Sequence, residues 1–332
     1  MTDNAPRYDV LAIGNAIVDI LTEVDDGFLA NNGLVKGSMA LIDADRAEEL
    51  YAAMPPGIEA SGGSAANTAA ALGSFGGTAA FIGKVRDDQL GAVFTHDLRA
   101  IGVTFRSVPA TEGLPTARCM IAITPDAERT LNTSLGIAAQ VTVDDIDGDL
   151  VADSAITYCE GYLWDMDPTK EAIRKAMGLA HDAGRRVALT LSDGFCVERH
   201  RSEFVELAES SVDILFANED EITSLYEVDS FDAALARVRD HVEHAFLTRG
   251  PAGAVAVSGG DVHAVPAAPI EKLVDTTGAG DAFAAGALYG VTHGHDLETC
   301  ARLGAIGAAE VIGHIGPRPH TPLAKLAESI LQ

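Results

Sequence analysis

The sequence predicts an α/β fold built on a mostly parallel, doubly wound sheet. A short apolar run, Tyr8-Asp9-Val10-Leu11-Ala12-Ile13-Gly14, ends in glycine and reads as a buried strand opening onto a crevice. Beyond Leu135, strand-like and helix-like segments alternate, as crossover units of a parallel sheet require. Near the end of the chain, a strand expected at Lys272-Leu273-Val274 leads through Asp275-Thr276-Thr277-Gly278-Ala279-Gly280-Asp281 into a small-residue helix over 282–288.

In order, the first strand is followed by Asn15-Ala16-Ile17-Val18-Asp19-Ile20-Leu21, whose alternation predicts a second, more exposed strand. A third is expected over 38–42. The small residues of Ser61-Gly62-Gly63-Ser64-Ala65-Ala66-Asn67-Thr68 predict a tight turn and a closely packed helix. A loop and strand follow over 75–83, then an amphipathic helix over 89–102 and strands at 104–108 and 116–124. Strands at 155–158, 186–191, 214–217 and 244–248 then alternate with helices at 170–183, 202–209 and 231–238, and a hairpin spans 254–265. Ligands of such sheets bind outside the carboxyl ends of the strands.

With 332 residues the chain fits two domains or one large α/β domain with insertions. The 49 acidic against 23 basic residues give a net charge of −26. That argues against a nucleic-acid partner, which needs basic patches, and an anionic substrate has to be held by local donors or a metal. The four cysteines, Cys119, Cys159, Cys196 and Cys300, show no C-x-x-C spacing and read as reduced thiols. The first residues resemble no export signal, and no stretch of 18 apolar residues occurs. A cytoplasmic protein without a membrane partner is expected.

The chemistry concentrates at 275–281. Two glycines at a helix start leave N–H groups free, and with the positive end of the helix dipole they form an anion site. Asp281 sets a carboxylate beside it, placed to take a proton from an attacking hydroxyl. Alone, the same residues serve equally as a tight turn and a cap. Other patterns carry less. The stretch 77–84 has the wrong spacing for a P-loop and is followed by Val85, not Ser or Thr. No G-x-G-x-x-G follows the first strand and no G-x-S-x-G occurs. The pairs His293/His295 and His241/His244 lack further ligands at metal spacing and read as surface histidines.

Gly62-Gly63-Ser64-Ala65-Ala66-Asn67-Thr68-Ala69 and Asp275-Thr276-Thr277-Gly278-Ala279-Gly280-Asp281-Ala282-Phe283 resemble the two signatures of the ribokinase-like (PfkB) kinase family. Ala217-Asn218-Glu219-Asp220-Glu221 resembles its Asn-x-x-Glu element, and Thr248-Arg249-Gly250 its nucleotide turn. The resemblance runs over essentially the whole chain. It implies a ribokinase-like three-layer α/β/α sandwich with a mostly parallel central sheet and a small β-rich lid. The chain would be a single domain over 1–332, with lid insertions at roughly 16–42 and 103–124. It also implies transfer of the ATP γ-phosphoryl group to a hydroxyl, a reaction that rests on positioning and charge neutralisation. Asp281 would be the general base, and the backbone N–H groups of Gly278, Ala279 and Gly280 the anion hole. Asn218 and Glu221, three apart on one helical turn, would hold Mg²⁺ through its water shell, unless they simply form a capping box. Thr248, Gly250 and Thr277 would line the ATP site. The resemblance further implies a monovalent cation beside the Asp275/Thr277 region, with activation by K⁺ as the corresponding expectation. Lid strands able to cover the site or pair between subunits leave monomer and homodimer open.

The acceptor is read near the start of the chain. Asp19 can accept two hydroxyls of a cis-diol, and Asn15 both donates and accepts. Gly14-Asn15-Ala16-Ile17-Val18-Asp19-Ile20 looks like the start of the family's adenosine-kinase subgroup, with Gly62, Gly63, Ser64 and Asn67 completing the ribose contacts. Glu128-Arg129-Thr130-Leu131-Asn132 is similar to a segment that sets an arginine over the active site, where Arg129 would neutralise phosphate; the alternative is a surface ion pair of Glu128 with Arg129. Met39, Leu41, Tyr162, Leu163 and Trp164 are candidates to sandwich an adenine. Ala305 stands where relatives carry an asparagine near the ATP adenine. The expected reaction is phosphorylation of adenosine to AMP in purine salvage. The alternative is a sugar kinase acting on ribose, fructose or 2-keto-3-deoxygluconate.

Overall fold

A computed structural model describes residues 5–126 and 128–331. In chain order its strands are β1 (Tyr8–Ile13), β2 (Ile17–Glu23), β3 (Met39–Leu41), β4 (Ile58–Gly62), β5 (Ala79–Ile82), β6 (Thr104–Phe105) and β7 (Ala117–Ile123). They continue with β8 (Arg129–Ser134), β9 (Ser154–Glu160), β10 (Arg186–Thr190), β11 (Ile214–Asn218), β12 (His244–Thr248), β13 (Ala254–Ser258) and β14 (Asp261–Val265). The large sheet runs β14-β13-β12-β11-β10-β9-β1-β5-β6 and is parallel from β12 to β6, with an antiparallel hairpin at one edge.

β1 is apolar throughout because it lies between β5 and β9, with Val10, Leu11, Ala12 and Ile13 fully buried. One face of the sheet carries Phe81, Tyr158, Phe216 and Phe246 against the helices Ser64–Phe75, Ala279–Thr292 and Leu297–Val311. The other carries Leu11, Ile13, Leu189 and Leu215 against Asp167–Asp182, Gly194–Ser210, Glu219–Tyr226 and Phe231–Val238. These are the layers of a ribokinase-like α/β/α sandwich. The chain runs outward from β1 to β5 and β6, then crosses to β9 and continues through β10, β11 and β12. That reversal opens a crevice at the carboxyl ends of β1 and β9.

A second sheet, β3-β8-β7-β2-β4, stands over this crevice. In β2, Val18, Ile20 and Thr22 are buried, while Ile17, Asp19 and Leu21 occupy the other, half-buried face. The stretch 103–124 does not enter this sheet as one insertion: Thr104–Phe105 pairs with β5 at the edge of the large sheet, and only β7 joins the small one, with β8 as its partner. β6 stays behind because Phe105 packs its ring on Phe81 and Phe94 of the main core. The strand expected at 272–274 is absent. Val274 bonds only the carbonyl of Ile312 and Leu273 is exposed, so no sheet neighbour is available there. No helix among the described residues is long and apolar enough to cross a membrane.

Candidate active site

Every parallel strand from β1 to β12 on this side of the sheet ends in a residue that faces the crevice or braces its floor. Gly14-Asn15 follows β1, and Glu160, Thr190, Asn218 and Thr248 terminate β9 to β12. The helix Ala279–Thr292 starts on Gly278, whose φ of 77° is left-handed and suits glycine. A Cβ there would also lie within 2.6 Å of Pro317 Cβ. Asp281 falls in the first helical turn. Its Oδ1 accepts from Ser64 Oγ at 2.6 Å and its Oδ2 from Asn67 Nδ2 at 3.3 Å. Burial pushes its pKa up to about 6, against the lowering effect of those two bonds. A carboxylate poised there is ionised at neutral pH and basic enough to take a hydroxyl proton.

The N–H groups of Gly278 and Gly280 have no protein acceptor among the described residues, whereas that of Ala279 bonds the carbonyl of Thr276 at 3.2 Å. The expected three-donor hole therefore needs correcting: Ala279 spends its donor within the turn, and Gly278 and Gly280 keep theirs. Thr277 donates its N–H and Oγ1 to Asp275 Oδ1.

Asp19 lies on the crevice face of β2, backed by Gly62, where a Cβ would drive into the carboxylate. Gly63 takes a φ of 93° before the helix Ser64–Phe75. No hydrogen bond among the described residues reaches the Asp19 carboxylate. Burial pushes it up to about 7, opposed by the charges of Arg318 and Arg129 and reinforced by that of Asp281. A cavity of about 450 Å³ joins Asp19, Gly63, Ser64, Asn67, Thr277 and Asp281. The two ends of the chain thus meet across one crevice, as the sequence reading requires.

Asn15 is not on the cavity wall. Its N–H and Nδ2 both donate to Glu160 Oε1, at 2.7 and 2.6 Å, so it stands one layer behind. Glu160 also accepts from Ala65 N–H, and burial pushes it up to about 7. Arg129 does not pair with Glu128. Its Nη1 meets Asp275 Oδ2 at 2.8 Å, with both side chains less than a tenth exposed, and lies 3.4 Å from Thr277 Oγ1. Removing one partner of a buried pair strands the other. Arg129→Ala is therefore expected to lower unfolding free energy by about 3–5 kcal/mol, read by urea denaturation; a loss under about 1 kcal/mol would mark the pair as screened.

Asn218 and Glu221 do form a capping box. Asn218 Oδ1 accepts from Glu221 N–H, while Glu221 accepts from Asn218 N–H and Nδ2. Burial raises Glu221 to about 7. Both residues line the cavity, and the unused lone pairs of the carboxylate fit waters around a hydrated Mg²⁺ rather than a direct cage. A second cavity of about 510 Å³, sharing Asn218, Thr248, Gly280 and Phe283 with the first, is lined by Gly250, Ile270, Leu273, Ala279, Ala305 and Ile312. Its walls are mainly apolar, as a purine pocket requires.

Of the candidate sandwich residues only Tyr162 reaches the cavity that joins Asp19 and Asp281. Leu163 and Trp164 are buried on the far side of the sheet, Trp164 against Phe204. Met39 and Leu41 are half exposed at the edge strand, and Ile17, Ile121 and Leu131 supply the apolar wall in their place. Sequence reading missed Glu160, Thr190, Ser192 and Arg318. A Glu closing a strand beside the topological reversal was a usable signal for the first alone.

A sequence profile described as "pfkB family carbohydrate kinase" matches residues 36–323. The chain belongs to the pfkB family. Among solved structures, this pfkB kinase is 53% identical to adenosine kinase from Sinorhizobium meliloti, with a TM-score of 0.89 over 97% of this chain and 99% of that one. It is 50% identical to a probable sugar kinase protein from Rhizobium etli CFN 42, with a TM-score of 0.90 over 98% of each chain. It is 28% identical to adenosine kinase of Saccharomyces cerevisiae, over 93% of this chain and 96% of that one. The protein is an ATP-dependent kinase of a small sugar or nucleoside acceptor.

Proposed function

We propose that the acceptor is a nucleoside and that the reaction is phosphorylation of its 5′-hydroxyl, adenosine to AMP, in purine salvage. The observation that carries this reading is the division of the acceptor cavity. At one end Asp19 offers a carboxylate that no donor among the described residues satisfies, suited to a cis-diol. Beside it on the small sheet, Ile17, Ile121 and Leu131 form an apolar wall for a flat base. A free sugar would leave that wall uncovered. Asp281 takes the proton from the attacking hydroxyl, and the free N–H groups of Gly278 and Gly280 stabilise charge on the transferring group. Asn218 and Glu221 hold the waters of Mg²⁺, which when bound neutralises phosphate charge. Thr248 and Gly250 line the nucleotide side. The same reading gives Arg129 and Asp275 the closing contact between small sheet and anion hole, with K⁺ as activator at the Asp275/Thr277 turn. The similarity to the Sinorhizobium meliloti enzyme supports it.

A sugar acceptor is the second reading, favoured by the Rhizobium etli relative. Coupled measurement of ADP release separates them, using adenosine, inosine, ribose, fructose and 2-keto-3-deoxygluconate, each in K⁺ and in Na⁺ buffer. The expected result is a kcat/KM for adenosine at least on the order of 10²-fold above any sugar. Faster turnover of a sugar overturns the nucleoside reading, and equal rates in both buffers overturn the K⁺ part.

A further inference from the structure

Arg318 lies in the segment between the helices Leu297–Val311 and Leu323–Leu331, directly after the Pro317 that packs on Gly278. Its guanidinium meets Asn67, which lines the cavity, from behind. Nη1 donates to Ser61 Oγ at 2.8 Å and Nε to Asn67 Oδ1 at 3.3 Å, while the buried Nη2 has no partner. A guanidinium only donates, so it accepts just one orientation of the Asn67 amide: oxygen toward Arg318 and NH₂ away. The NH₂ then faces Asp281 Oδ2 at 3.3 Å. A flipped amide would set donor against donor at Arg318 and oxygen against carboxylate at Asp281.

Asp19 is the second group concerned. The charged and titratable groups around it are Arg318, Arg129 of β8, Asp281 at the helix start and Cys119 of β7. Arg129 is already committed to Asp275 at 2.8 Å, and Asp281 is repulsive. Among the described residues Arg318 pairs with no carboxylate within 4 Å, although the charges of Asp19 and Asp97 both act on it. It is thus the counter-charge to Asp19 that the turn at 275–281 does not claim.

We propose that Arg318 is a positioning residue of the acceptor site, which fixes the Asn67 amide toward the Asp281 carboxylate and sets a positive charge toward the Asp19 carboxylate that receives the acceptor hydroxyls. The proposal rests on the reading of Asp19 as the hydroxyl acceptor. Removing the guanidinium leaves the Asn67 amide held by Asp281 alone and takes one of the two positive charges away from Asp19, with no change on the ATP side of the crevice.

The test compares wild type, Arg318→Met and Arg318→Lys by pH profiles of kcat/KM for the acceptor, KM for ATP, and carboxyl-carbon NMR titration of Asp19, assigned with Asp19→Asn. Arg318→Met is expected to lower kcat/KM for the acceptor by on the order of 10–100-fold. It should raise the Asp19 titration midpoint by about one pH unit and leave KM for ATP within about twofold. Lysine restores charge without the fork, so Arg318→Lys should recover the midpoint but not kcat/KM. A loss of kcat/KM with an unmoved midpoint, or a rise in KM for ATP of the same size, reduces Arg318 to a structural residue and overturns the proposal. If Arg318→Met does not fold, Arg318→Lys decides: full recovery of kcat/KM refutes the amide role, and a displaced midpoint refutes the charge role. The titration needs no acceptor, so a moved midpoint in a protein indifferent to 2′- and 3′-deoxy acceptors would sink the reading of Asp19 and leave the electrostatic role of Arg318 standing.

Discussion

Asp281→Asn is expected to lower kcat by on the order of 10²–10⁴ while leaving the fold intact. The asparagine can keep both contacts of the native carboxylate, donating to Ser64 Oγ and accepting from Asn67 Nδ2, because the serine hydroxyl serves as donor or acceptor. What it loses is the ability to take a proton. The wild-type profile should carry the same signature. Burial raises Asp281 of the free protein to about 6, and only its ionised form accepts a proton, so kcat/KM falls as pH drops through about 6. In Asp281→Asn the residual rate should lose that limb. Steady-state kinetics from pH 5 to 8 with a thermal melt for each protein decides it. Near-normal turnover with a native melt would remove Asp281 from the base role.

Asp19→Asn should move activity and stability in opposite directions. The carboxylate receives no hydrogen bond from the described residues, and burial pushes it up to about 7. In the unfolded chain an aspartate titrates near 3.9. Between those values the folded protein binds the proton more tightly than the unfolded chain, so ionisation of Asp19 erodes stability as pH rises from about 4 to about 7 and holds it down above that. A neutral isostere escapes this penalty. Asp19→Asn is therefore expected to be more stable than wild type by on the order of a few kcal/mol at pH 8. The gain should vanish below about pH 4, where both chains are neutral at this position. The acceptor meanwhile loses a charged partner for its hydroxyls, and kcat/KM should fall by on the order of 10²–10⁴. Urea denaturation at pH 8 and pH 4 beside acceptor kinetics is the measurement. A destabilised variant at pH 8 would mean that Asp19 has a protein partner, and unchanged kinetics would take it out of the acceptor site. A site kept less stable than it could be is the usual mark of a functional group.

The glycines and Asp281 of 278–281 were legible because their chemistry is local: a helix start, its free N–H groups and a carboxylate within one turn. Asn218 and Glu221 were legible for the same reason, and the capping box forms within four residues. The alternation of strands and helices fixed the parallel sheet, and with it the edge at which ligands bind. The strand expected at 272–274 failed because a short apolar run becomes a strand only where a sheet edge receives it, and Val274 finds only the Ile312 carbonyl.

The sequence by itself determined the fold class, the glycine-rich helix start at 278–281 and the residues that face one another along one turn or one strand. Only the tertiary structure decided that Glu160 ties Asn15 to the helix start at Ala65, that Arg129 closes on Asp275 rather than Glu128, and that Arg318 reaches Asn67 across 251 residues of chain. The reason is physical. A periodicity or a cap is written in neighbouring residues, whereas a buried charge chooses its partner by what burial brings within reach, and that distance exists only once the two sheets have closed over the crevice.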